Sequence, residues 1–311
     1  MTGGEKSKRT RSLILPTLNP AREAIRNRNS AYAAERFDRV KGLCDSAIVL
    51  ARYLADGPYQ FSMAFGRGTF SEFWGVTSEN TEILNERRRW LREDEGRYLA
   101  VLPEAEELLK EARELGDQVN SPLDTTKIHS AARFFGEHWE PDYLLLKRGA
   151  DGARLVCGCV CFPSSWALEE KIGRPIGEIH DVVPALNSSV GRQIQTFLER
   201  LKPGISWLRS NWGLSRSAER NQHPIRKTPR LDKSVTLSEV FFRVEEQSLV
   251  ALPKSDGILF GIRLRIIPLE GYAGTVEGLK LATALETMPE PMAVYKGLAP
   301  ARLRIISLLR G

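Results

Sequence analysis

Apolar residues fall at helical spacing through the first half of the chain and at strand spacing through much of the second. Over 20–55 they recur with a period near 3.6 in an Ala-, Arg- and Glu-rich background, which predicts helices up to the break at Gly57-Pro58. Tyr59, Phe61 and Met63 alternate and predict an edge strand. Residues 77–99 predict a helix capped by Thr77 or Ser78, with Ile83, Leu84, Trp90 and Leu91 on one side. A second helix, 102–119, has Pro103 in its first turn and Gly116 near its end, and a third covers 124–139. Two apolar runs within 143–162 flank a Gly-Ala-Asp-Gly turn and predict a hairpin. Residues 166–173 predict a short amphipathic helix and 190–202 a longer one, stopped by Pro203-Gly204.

The second half reads differently. Residues 206–215 alternate and predict a strand, and the charged, proline-containing 216–234 predict a loop. Residues 239–253 predict a strand followed by a helix or turn with Leu249 and Leu252 inward. The strongest strand pattern is 257–269, where alternation places Arg263 and Arg265 on one face and Ile262 and Leu264 on the other. Residues 275–288 predict a helix, and 292–311 a tail with at most one short helix. Strands do not alternate regularly with helices, so the expected class is α+β with a mostly antiparallel sheet and surrounding helices, not a doubly wound α/β fold. The polar, basic residues 1–19 predict a disordered tail, 20–57 a helical extension, 58–300 the main domain and 301–311 a C-terminal tail.

Composition limits the function classes. A chain of 311 residues that is 42% hydrophobic and 27% charged has enough apolar material for a sizeable core. Its net charge of +6 is dispersed, apart from Lys6, Lys8, Arg9 and Arg11 and the stretch 209–233. No basic face is evident, so no nucleic-acid partner is expected. No apolar run reaches the roughly 18 residues of a membrane span. The basic N-terminus is not followed by the apolar core of a secretory signal, so a cytoplasmic protein is expected. Cys157, Cys159 and Cys161 alternate along one predicted strand, which would hold neighbouring sulfurs about 7 Å apart. That spacing suits neither a disulfide nor the usual zinc pair, and the three read as small buried apolar residues in a reducing compartment.

Phosphate-binding glycine motifs are absent, and Ser164 and Ser165 lack the flanks of a nucleophile elbow. The histidines, His129, His138, His180 and His223, have no zinc-hydrolase spacing. His180 is the best placed of them. It sits between apolar flanks in Ile-His-Asp-Val-Val-Pro, on backbone constrained by Gly177 and Pro184. It is either a satisfied structural histidine or a ligand; one imidazole suffices for haem iron, because the porphyrin supplies four nitrogens. Polar residues alternate on the late strands: Arg209, Asn211 and the adjoining Trp212; Arg243, Glu245 and Gln247; Arg263 and Arg265. They describe either a half-exposed sheet or a sheet-lined pocket suited to proton delivery and substrate orientation.

Several of these stretches, in order and spacing, resemble the haem-binding alpha subunit of haem-dependent oxidative N-demethylases, the dimethylamine-monooxygenase-like family. They are YQFSMAF (59–65), VLPEAEELLKE (101–111), VCFPSSWALEEKIGRPIGEIHDVVP (160–184), LRSNWGLS (208–215), RVEEQSLVALP (243–253) and ILFGIRLRIIPL (258–269). The resemblance covers roughly 58–300 and implies a PAS-like α+β fold that binds haem b. It implies that His180 is the axial iron ligand and that Arg243, Glu245 and Gln247, from an R-x-E-x-Q pattern, and Arg263 belong to the haem pocket. Arg209, Asn211 and Trp212 join them as cofactor-binding candidates. The implied reaction is oxidative N-demethylation of a small secondary amine by O2, with electrons from a separate flavin and iron–sulfur reductase. The alternative is a haem-binding sensor or carrier of the same fold without oxygenase activity.

Overall fold

The computed structural model describes residues 50–60, 65–116, 128–150, 152–184 and 191–311. The expected tail and most of the helical extension lie outside the described residues, as do Phe61 and Met63 of the expected edge strand. The description begins with a 3-10 turn at Leu50–Arg52 whose Leu50 is fully buried.

Seven strands form one sheet: β1 (Gly66–Gly68), β2 (Leu99–Val101), β3 (Asp142–Lys147), β4 (Arg154–Cys159), β5 (Ser206–Ser215), β6 (Phe241–Leu252) and β7 (Gly257–Pro268). Their order is β1-β5-β6-β7-β3-β4-β2 and every pairing is antiparallel. The class is therefore α+β, as the element order predicts. The helices are α1 (Phe70–Trp74), α2 (Asn80–Glu93), α3 (Glu95–Tyr98), α4 (Glu106–Gly116), α5 (Ile128–His138), α6 (Ile176–His180), α7 (Arg192–Glu199), α8 (Val276–Thr287), α9 (Glu290–Tyr295) and α10 (Arg302–Arg310).

Three expectations need correction. The helix or turn expected at the end of 239–253 does not form, and β6 runs unbroken to Leu252. Leu249 and Ala251 pack into one apolar cluster and Val250 and Leu252 into another, so this end of the strand is buried on both faces. Residues 166–173 form turns and not a regular helix. Their backbone is committed elsewhere: Gly173, at φ +80°, donates its N–H to Leu155 O at 2.8 Å, and Leu155 donates back to Arg174 O at 3.0 Å. The C-terminal residues are not a tail, because α10 buries Ile305, Ile306 and Leu309.

The strand register sorts side chains onto two faces. Phe242, Val244 and Leu214 pack with Leu281 and Leu285 of α8, Met292 of α9 and Ile305 of α10. Farther along that face, Tyr143, Cys157, Cys159 and Leu259 pack with Leu91 of α2, Leu108 of α4 and Phe135 of α5. The opposite face carries Leu249, Ala251 and Ile258, covered by Ile176 and Ile179 of α6 and Ile194 and Leu198 of α7. On this second face the apolar cover gives way to polar residues, and there the candidate site begins.

Candidate functional site

His180 is the last residue of α6, a five-residue helix that depends on its neighbours for its position. The chain reaches it along the edge of β4. Ile176 donates its N–H to Ala153 O at 2.8 Å, and Arg154 and Pro175 form an isolated antiparallel bridge. These bonds, with the Gly173 turn, aim α6 across the second face of the sheet. The imidazole is half-buried. Burial, and then the positive charge of Arg209, push its pKa below the ordinary histidine value, against the smaller pull of Asp181.

A row of polar side chains lies on this face of β5 and β6. Register pairs Arg209 with Gln247 and Asn211 with Glu245. Directly opposed cross-strand residues share a face, so these four side chains are neighbours. Gln247 Nε2 donates to Glu245 Oε2 at 3.1 Å. Burial lowers the pKa of Arg209, while Glu245 and Tyr59 favour its charged form. Its guanidinium lies 5.6 Å from the centre of the Phe65 ring, which stacks on Phe197 of α7 at 4.5 Å. Arg148, Ile176, Ile194, Gln195, Leu198 and Glu199 line a cleft of about 270 Å³ that His180 also borders.

The row ends on a residue absent from the sequence reading. Lys296, immediately after α9, donates Nζ to Trp212 O at 2.6 Å and to Asn211 Oδ1 at 3.1 Å. Burial lowers its pKa to about 8, with Glu245 opposing the shift and Arg209 assisting it. Nothing in the local sequence of Lys296 marks it, because its partners come from β5 and β6.

The other sequence candidates lie elsewhere. Arg243 occupies the same face as Glu245, but its guanidinium turns away to bond Glu219 O at 2.8 Å, Arg220 O at 3.0 Å and Ser164 Oγ at 3.4 Å. It joins the Phe-Pro-Ser-Ser turn to the loop after β5, where Ser165, at φ +65°, donates its N–H to Gln222 O at 3.1 Å. Trp212 points to the opposite face and stacks on Phe242 at 5.3 Å. Arg263 is also on the opposite face, paired with Glu140 at 3.1 Å and bonded to Phe73 O and Gly75 O. The structure thus groups Arg209, Asn211, Glu245 and Gln247 on one face, with His180 near enough to feel the charge of Arg209, while the side chains of Arg243, Trp212 and Arg263 turn to other partners.

His223 is buried, with Nε2 at 3.1 Å from Glu169 and Nδ1 accepting Ile225 N–H, a satisfied structural pair. Cys157, Cys159 and Cys161 are free and fully buried. The expected sulfur spacing is wrong for one pair: β4 ends at Cys159, and the turn beyond it brings Cys161 Sγ to 3.8 Å from Cys159 Sγ. Among the described residues no group of three or more His, Cys, Asp or Glu side chains could hold a bare metal ion. Among them, too, no helix is long and apolar enough to cross a membrane.

Residues 113–306 match the model of a family described as haem-dependent oxidative N-demethylase, alpha subunit-like. That span holds α6 and its histidine, the polar row and Lys296, and the chain belongs to this family.

Proposed function

We propose that the protein binds haem b through His180 and catalyses oxidative N-demethylation of a small secondary amine. The observation that carries this reading is His180 itself: a half-buried imidazole, biased toward its neutral form, that borders a cleft walled in part by Ile176, Ile194 and Leu198 and feels the charge of Arg209 in the polar row. The donor set fits the group. Iron in a porphyrin needs one protein nitrogen, and His180 offers one without a competing carboxylate or thiolate cluster among the described residues. Ile176, Ile194 and Leu198 supply apolar wall, and Arg209, whose charge already acts on His180, is suited to a propionate.

When bound, haem would supply O2 activation: one oxygen atom oxidises the N-methyl carbon, and two external electrons and two protons reduce the other to water, giving demethylated amine and formaldehyde. The chain contributes binding and charge. Glu245, held by Gln247, presents a carboxylate to a protonated amine, and the aromatic pair Phe65 and Phe197 shields that side of Arg209 from water. The electrons are assigned to a separate flavin and iron–sulfur reductase.

The test is spectroscopic first. Protein purified with haem supplied should show a Soret band that His180→Ala abolishes or shifts. With a reductase and dimethylamine, the wild type should then consume O2 and release formaldehyde. Absence of a Soret band overturns the haem reading. Haem binding without O2 uptake on addition of N-methyl amines overturns the oxygenase and leaves a sensor or carrier.

A further inference from the structure

Lys296 extends the polar row and changes what it can recognise. β1 pairs with Ser206–Leu208 at the start of β5, and the edge of β5 continues past Arg209 to Trp212. Lys296 reaches that edge from the end of α9. Two bonds, to Trp212 O and Asn211 Oδ1, fix the ammonium, and its Nζ lies 5.7 Å from the centre of the Trp212 ring. An ammonium has three N–H donors, so one remains for a ligand. The bond from Lys296 also settles the orientation of Asn211. With Oδ1 committed to the lysine, Nδ2 offers two further donors.

Across the strand pair from Asn211 stands Glu245, steadied by Gln247 Nε2. Directly opposed residues have Cβ atoms about 4.5–5.5 Å apart. Donors for an anion and an acceptor for a cation are therefore separated by little more than one cross-strand step. That is the spacing of an α-amino acid, whose ammonium and carboxylate are joined through a single carbon. Charge points the same way. Lys296 and Glu245 present one charge of each sign, which a zwitterion satisfies on both counts and a simple ammonium on one.

We propose that Lys296, Asn211 and Glu245 form a subsite for an N-methylated α-amino acid, the carboxylate on Lys296 and Asn211 and the ammonium on Glu245. The proposal rests on the oxygenase reading above for its reaction, and it narrows the substrate class to secondary amines that carry a carboxylate. It makes Lys296 a specificity-determining residue.

The experiment compares N-methylglycine with dimethylamine by calorimetric titration of the haem-loaded protein and, separately, of the folded haem-free protein. Wild type should bind N-methylglycine at least tenfold more tightly. Lys296→Met should remove that preference by weakening N-methylglycine about tenfold without weakening dimethylamine, and Lys296→Arg should restore part of it. The Soret band should be the same in all three. Equal or tighter binding of dimethylamine by wild type overturns the proposal. So does a Lys296→Met variant that weakens both ligands alike, or one that loses haem, which would give the lysine to the porphyrin. If Lys296→Met does not fold, Asn211→Asp carries the same test: the new carboxylate should repel N-methylglycine about tenfold and spare dimethylamine. A wild type without a Soret band that still prefers N-methylglycine overturns the haem reading and leaves the subsite standing.

Discussion

Asp142 and Arg87 form an ion pair at 2.5 Å in which neither side chain is measurably exposed to solvent beyond 2%. The pair does more than neutralise charge. Asp142 Oδ1 also accepts Cys161 N–H at 2.8 Å and Oδ2 accepts Phe162 N–H at 3.1 Å, while Arg87 Nε donates to Gly136 O at 2.8 Å. Four elements meet on it: α2, the end of α5, the start of β3 and the start of the Phe-Pro-Ser-Ser turn that leads to His180. Removing one partner strands the other charge in the core, at a cost of about 3–5 kcal/mol. Arg87→Met and Asp142→Leu should each lower the urea midpoint accordingly. The double variant should lose less than the sum of the two, because no charge is left stranded, although the Cys161 and Phe162 N–H groups still lack their acceptor. Additive losses would show that the two side chains act independently.

Arg243 gives a sharper contrast between scaffold and site. Its three bonds run to Glu219 O, Arg220 O and Ser164 Oγ, and Glu245 acts on it through its charge. Burial lowers its pKa to about 10. Loss of its three bonds in Arg243→Met should cost about 1.5–3 kcal/mol of stability, the range for a bond to a charged group. Protein that remains folded should keep its haem stoichiometry. A variant of wild-type stability whose turnover collapses would instead put Arg243 among the catalytic groups.

The thiols should be inert. Burial raises the pKa of Cys157 and Cys161, and both are fully enclosed by the core between β4 and α5. Reaction requires thiolate and access, and neither is present. In a Cys44→Ser background, Ellman's reagent at pH 8 should label none of the three on the timescale of minutes in native buffer and all three in urea. Rapid native labelling of even one would show that this core opens locally.

Much of the fold was readable because it depends on local alternation. β5 spans the ten residues expected of it, and the Arg263 and Arg265 side chains share a face as predicted. Sequence failed where burial on two sides or tertiary bonding overrides periodicity. Leu249–Leu252 looks non-alternating because both faces of β6 are covered there. Residues 166–173 have helical spacing, but Leu155 and Ala153 capture the backbone that follows. The site divides on the same line. Arg209, Asn211, Glu245 and Gln247 could be grouped from their period of two along neighbouring strands. Whether Arg243 joins them depends on the carbonyls of residues 219 and 220, and Lys296 enters only when α9 is folded against the edge of β5.

Lys296 should also leave a signature in stability against pH that does not need any ligand. Its pKa is near 8 in the folded protein and 10.5 in its ordinary state, so between these values the unfolded chain binds more protons than the native one. Stability then rises with pH across that window, the contribution being complete above 10.5 and lost as pH falls through 8. Glu245 on β6 and Arg209 on β5 are the charged groups that act on it, Glu245 favouring the ammonium and Arg209 opposing it. The total effect is on the order of 3 kcal/mol. Urea midpoints measured from pH 7.5 to 10.5 on wild type and Lys296→Met should therefore diverge, with wild type gaining relative to the variant as pH rises. Parallel curves would show that the Lys296 ammonium titrates as it does in water and that the bonds to Trp212 and Asn211 are made without desolvating it.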